Sequence, residues 1–190
     1  MERTYFDDLL FEQEDFTKTP FSAGEYDQCT FSHCHFAAVA LSGSVFVDCT
    51  FTGCDLSNVG LQKTAFRNCT FTDCKLLGTP FDHCDPFLFS IRATGCNLEL
   101  ASFSGRSLKK TVFRACSLRS ADFTDADLSG SIFDACDLHG ALFANTNLEG
   151  ADLRTALHYS IDPGRNRVRK ARFSLPAVTG LLDVYGVRID

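Results

Sequence analysis

Every fifth residue of this chain is large and apolar over most of its length. Sixteen consecutive places in that column, from Phe6 to Phe81, hold Phe, Tyr or Leu; after a break the column resumes two positions late and runs from Leu98 to Leu153. It takes in sixteen of the nineteen Phe and leaves out only Phe87, Phe89 and Phe173. The residue two before each centre is mostly Cys, Ala, Thr, Ser or Val, and the other three positions are far more polar. A period of 3.6 or 2.0 produces no such pattern, so an ordinary helix and an ordinary strand both fail. One large and one small side chain per pentad can point inward if the chain turns after every pentad. Four such sides close a packed coil of twenty residues.

The cysteines obey that longer period. Nine of the ten form three ladders of period twenty: Cys29, Cys49, Cys69; Cys34, Cys54, Cys74; and Cys96, Cys116, Cys136. The tenth, Cys84, also lies two before a place in the five-residue frame. Parallel coils stacked about 4.8 Å apart would superpose identical positions, and 28 pentads make about seven coils, a rod of roughly 34 Å. Cysteines twenty apart on an inner face stack in line and pack as small buried hydrophobes. The expected compartment is a reducing cytoplasm, with neither a secretory leader nor an apolar run long enough to span a membrane.

Ala121-Asp122-Phe123-Thr124-Asp125, Ala126-Asp127-Leu128-Ser129-Gly130 and Cys136-Asp137-Leu138-His139-Gly140 resemble the pentapeptide-repeat family, whose pattern is A(D/N)LXX. The resemblance covers about residues 4–155 and implies an all-β fold, a right-handed quadrilateral parallel β-helix. Residues 1–157 are expected to form it, with a frame break near 82–97. The break, Cys84-Asp85-Pro86-Phe87-Leu88-Phe89-Ser90, and the tail from Ile161-Asp162-Pro163 to Gly186-Val187 are similar to segments of the family's small gyrase-protecting members, the microcin-immunity, albicidin-resistance and quinolone-resistance proteins. That likeness implies binding to DNA gyrase or topoisomerase IV, protection against a gyrase poison, and dimerisation through the C-terminal segment. Arg106 departs from the repeat at a usually small inward position.

Residues 158–190 are expected to be that capping and dimerisation segment, with a short helix over about 175–185. Ser174 suits an N-cap, Pro176 the first turn and Gly186 a C-cap. Leu175, Val178, Leu181, Leu182 and Tyr185 make an apolar stripe at helical spacing, placed to cover the last coil and to form a homodimer interface. The basic run Arg165, Arg167, Arg169, Lys170 and Arg172 before it reads as a solvated face or as partners for the acidic last coils.

The formal net charge of −6 argues against a direct nucleic-acid binder, but an acidic rod could imitate duplex DNA. Asp122, Asp127, Asp137 and Asp152 stand just before a centre, where a carboxylate can bond the turn backbone. Asp125 and Asp134 lie elsewhere in the pentad and are the candidates for outward display to a partner. Phe87 and Phe89, in the break, are the apolar candidates, beside the plainer reading of that segment as a bulge that repairs the register. No catalytic constellation, phosphate loop or cofactor motif is present, and a filled rod offers no cleft for an acid/base pair. His33, Cys34 and His35 look like metal ligands only on paper: in the repeat frame their side chains diverge, so no metal site is expected. A protein-interaction scaffold unrelated to topoisomerases is the competing function.

Overall fold

The computed structural model describes residues 4–188. Eleven short strands are named along the coil. β1 (Thr4–Asp7), β3 (Gly24–Asp27), β5 (Val45–Val47) and β7 (Ala65–Arg67) form one parallel sheet. β2 (Leu10–Glu12), β4 (Thr30–Ser32), β6 (Thr50–Thr52), β8 (Cys69–Thr72), β9 (Ile91–Thr94), β10 (Val112–Arg114) and β11 (Ile132–Asp134) form a seven-stranded sheet on the adjoining face. Isolated parallel bridges such as His35↔Asp55 and Ala40↔Gly60 build the other two sides. The result is a right-handed parallel β-solenoid of about seven coils.

Central residues meet their copies at every turn. Phe11, Phe31, Phe51 and Phe71 stack with ring centroids 4.8 Å apart at each step, while neighbours on adjoining sides meet edge-on, as Phe46 and Phe51 do at 5.5 Å. Both arrangements suit the ring quadrupole and contribute about 0.5–1.5 kcal/mol per pair beyond area burial. The small inward residues line the corners. Cys49, Cys54, Cys69 and Cys74 each donate a weak S–H bond to the carbonyl of a central residue one coil earlier, at 3.3–3.4 Å. Thr64 and Thr146 do the same with hydroxyls, to Leu41 and Phe123.

Cysteine also marks a turn type. After most centres the N–H three residues on bonds back to the central carbonyl, as Val39 does to Phe36 and Ser131 to Leu128. No such bond closes the pentads that lead into nine of the ten cysteines; Cys84 is the exception, with its N–H on Phe81. Burial among apolar side chains pushes the Cys49 thiol up to about 12 and raises Cys69 as well, so these thiols stay protonated and unreactive at neutral pH.

The corners are made by residues in the left-handed region, generally two after a centre: Asp8, Gln28, Asp48 and Asn68 along one edge have φ between 50° and 53°. The N–H freed by that conformation bonds the next coil, Asp8 to the Asp27 carbonyl at 3.0 Å and Gln28 to Val47 at 2.9 Å. Asn and Asp tolerate this region, and a branched apolar residue does so poorly. Leu100 stands at such a corner with φ 59° and is exposed. Leu100→Gly is therefore expected to stabilise the fold by about 0.5–1 kcal/mol, the left-handed penalty removed less the entropy glycine loses. An unchanged or lowered urea midpoint would contradict this.

The break keeps the two-position shift expected from the sequence, whereas the tail departs from its expected form. At the break, β9 pairs with β8 in a register of 22 residues, Cys69↔Ile91 to Thr72↔Thr94. The surplus loops out between the Asp85 N–H, bonded to the Thr64 carbonyl, and the Ser90 N–H, bonded to Phe66. The bridge Lys75↔Asn97 then carries the cysteine ladder across. Two of the three expected ladders thus become one of six thiols, Cys34 to Cys136, beside the three-thiol ladder Cys29 to Cys69. At the other end, coil geometry continues past 157: Asn147↔Arg167 and Asp152↔Arg172 are parallel bridges. The tail is then not one α-helix but two 3₁₀ segments, Leu175–Leu181 and Asp183–Tyr185. Ser174 makes no side-chain cap bond, whereas Gly186 closes the second segment in the left-handed conformation (φ 60°).

Candidate partner-binding surface

Solenoid register decides which charges face outward alone. In parallel stacking, a side chain meets the ones about twenty residues away, so an acidic coil beside a basic one is neutralised in place. The coils of residues 121–150 lie on those of 91–120, which carry Arg92, Arg106, Lys109, Lys110, Arg114 and Arg119. Asp134 accepts from Arg114 Nε at 3.0 Å and from the Thr155 hydroxyl at 3.0 Å. Asp127 lies 3.3 Å from Lys109, and Asp137 bonds Arg119 at 3.1 Å and His158 at 2.9 Å. Partial burial pulls the Asp137 carboxyl up, but bonds from His158, the His139 N–H and Arg119 outweigh it and hold it below the usual carboxylate range. Arg154 does most to depress Asp152, which Arg172 also reaches.

The four aspartates assigned to turn chemistry all perform it. Asp122, Asp127, Asp137 and Asp152 accept from the backbone N–H two residues on, at 2.8–3.2 Å. Of the two expected display carboxylates, Asp134 is occupied by Arg114. Asp125 is exposed at a left-handed corner (φ 58°), lining an open, polar groove of about 490 Å³ with Asn145, Arg165, Asn166 and Arg167. The two aspartates stand on different sides of the coil and form no single cluster.

The two phenylalanines of the break part company. Phe89 is 9% exposed and packs edge-on to Phe81 at 6.0 Å; it fills the core beside the register shift, and its expected role as a contact on the surface does not fit that burial. Phe87 and Leu88 are each 63% exposed at the loop tip. Two arginines brace this loop. The Arg67 guanidinium lies over the Phe87 ring, 5.5 Å from its centroid, a cation–π contact. Arg106, the misfit in the repeat, is turned so that its Nη1 donates to the Cys84 carbonyl at 3.0 Å. Nothing in the local sequence marks Arg67 for that role. The pairing of Arg114 with Asp134, by contrast, is legible as a charge complement at an offset of twenty.

In the tail, Ala177, Leu181 and Phe173 pack on the core, and the buried Gly180 accepts the Ile161 N–H at 2.9 Å. Leu175 is 88% exposed, and Leu182 and Tyr185 are also exposed, while Val178 is half-buried. The expected stripe is therefore divided: Leu181 covers the last coil and most of the rest faces outward. Between tail and last coil lies a largely apolar cleft of about 460 Å³ lined by His139, His158, Tyr159, Ala177 and Asp183, among others.

Cys34 is fully buried while His33 and His35 point to the exterior. Among the described residues no three His, Cys, Asp or Glu side chains converge as a metal site. Among the described residues no helix is long and apolar enough to cross a membrane.

Comparisons with known proteins agree with this architecture. The chain matches the model of pentapeptide repeats in eight copies, over residues 29–61, 96–134 and 136–157. No curated protein is similar enough in sequence to be matched to it. Among solved structures, it is similar to full-length QnrB1, a plasmid-mediated fluoroquinolone resistance protein, at 19% identity and a TM-score of 0.55, over 97% of this chain and 100% of that one. It is also similar to HetL, a pentapeptide repeat protein involved in heterocyst differentiation regulation from the cyanobacterium Nostoc sp. strain PCC 7120, at 15% identity and a TM-score of 0.40, over 90% of this chain and 88% of that one. With the five-residue frame, the left-handed corners and the stacked centres all in place, this chain belongs to the pentapeptide-repeat family.

Proposed function

We propose that this protein is a non-enzymatic binder of DNA gyrase or topoisomerase IV that protects the enzyme against a poison, a quinolone or a peptide toxin, and acts as a dimer joined through its tail. The observation that carries this reading is the placement of exposed apolar groups on an otherwise filled rod. One set, Phe87 and Leu88, sits on a loop held out by Arg67; another, Leu175, Leu182 and Tyr185, sits on the tail. A chain of the same extent that confers fluoroquinolone resistance shares the architecture. In this reading Phe87 contacts the topoisomerase and Asp125 adds a carboxylate where the enzyme expects phosphate.

The neutralisation of Asp127, Asp134 and Asp137 by Lys109, Arg114 and Arg119 favours a second reading, a protein-interaction scaffold without DNA mimicry. A gyrase supercoiling and cleavage-complex assay with ciprofloxacin separates the two. Protection is expected at near-stoichiometric protein, and Phe87→Ala is expected to weaken it about tenfold, the loss of one buried aromatic anchor, with the circular dichroism unchanged. Cleavage complexes that persist undiminished at saturating wild-type protein would leave the scaffold reading standing.

A further inference from the structure

The first coil ends the solenoid very differently from the last. β1 and β2 are edge strands, each paired on one side only, to β3 and β4. Its core layer, Phe6, Phe11, Phe16 and Phe21, is only partly buried, whereas the next layer, from Tyr26 to Leu41, is closed. Tyr5, Leu9 and Leu10 are exposed beside it. The tail covers the opposite end with Ala177, Leu181 and Phe173. Unpaired backbone and an apolar layer together make a template for one more strand.

Charge selects the occupant. Residues 4–30 carry seven carboxylates and one amine, and that amine, Lys18, is tied to Asp15 at 2.7 Å. Asp7, Asp8, Glu12 and Glu14 are exposed, and among the described residues none has a cation within ion-pair distance. A second copy docked end to end would bring like charges together, which disfavours that pairing. We infer that the first coil receives a lysine- or arginine-rich extended segment of a partner protein, which adds to β1 or β2 as a further strand. Its alternate apolar side chains would lie over the Phe6–Phe21 layer and its cations against Asp7, Asp8, Glu12 and Glu14, as the two-residue alternation of a strand allows. This assignment does not depend on the topoisomerase reading.

The probe is a fluorescein-labelled octapeptide of alternating Lys and Val, with an alternating Glu and Val peptide as control, titrated by anisotropy against the full chain. Amide hydrogen exchange is followed in parallel. The Lys-Val peptide is expected to bind, to slow exchange at residues 4–12, and to bind at least about tenfold more weakly to a D7N/D8N/E12Q/E14Q variant. The same affinity for E149Q as for the unaltered chain is expected, because Glu149 is an exposed carboxylate in the distant coils. Absence of binding, equal affinity for the neutralised variant, or protection elsewhere on the rod overturns the proposal. Protection of residues 4–12 that rises with protein concentration alone assigns the edge to a second copy and overturns it too.

Discussion

Phe51→Ala is expected to destabilise the solenoid by about 4 kcal/mol, within the usual range for truncating a buried Phe. Phe51 is fully buried and stacks at 4.8 Å on both Phe31 and Phe71, with edge contacts to Phe36, Phe46 and Phe66. The coil is too narrow to collapse around the hole, because each side chain already fills its share of the axis. In a quasi-one-dimensional protein the damage falls on two nearest-neighbour interfaces. Exchange should therefore accelerate most over residues 4–72 and least over 98–153. Guanidinium unfolding read by circular dichroism, together with residue-resolved exchange, checks both parts. A loss below about 1.5 kcal/mol, or exchange that quickens evenly along the rod, would show that the central stack does not hold the coils together in this way.

Gly180→Ala is the second large effect. A Cβ at Gly180 would collide with the Tyr159 carbonyl oxygen and ring, and the neighbour is backbone that cannot rotate aside. Gly180 also accepts the Ile161 N–H, so relief of the clash breaks that bond as well. Overpacking of this kind costs about 1–3 kcal/mol, more than two short 3₁₀ segments can hold against. The tail should detach, leaving Tyr159 and Phe173 uncovered and the coils from Phe31 to Phe133 folded. If the tail forms the dimer, sedimentation should report a monomer. Thr179→Ala, at an exposed neighbour, should change neither property. Undisturbed tail protection in Gly180→Ala would mean that Phe173 and Leu181 hold the segment without the close approach.

Most of the coil was legible because its period is local. A large residue every five and a small one two before it leave one way to bury both. The candidate site was legible in part. Phe87 and Phe89 are equivalent as text, since both lie outside the column; the 22-residue register of β9 on β8 turned one outward and the other into the core. Asp134 looked as free as Asp125 until the coil below placed Arg114 against it, although the offset of twenty was there to be read.

The tail shows the same division. Leu175, Val178 and Leu181 lie three apart, a spacing that serves an α-helix and a 3₁₀ helix alike; the close approach of Gly180 to Tyr159 accompanies the tighter form. The amino-acid sequence alone determined the four-sided coil and the stacked cores, since these follow from which residues must be buried and how often. Only the tertiary structure decided which carboxylates remain unpaired and which loop residue is exposed, because those depend on coils twenty or more residues apart lying one upon another.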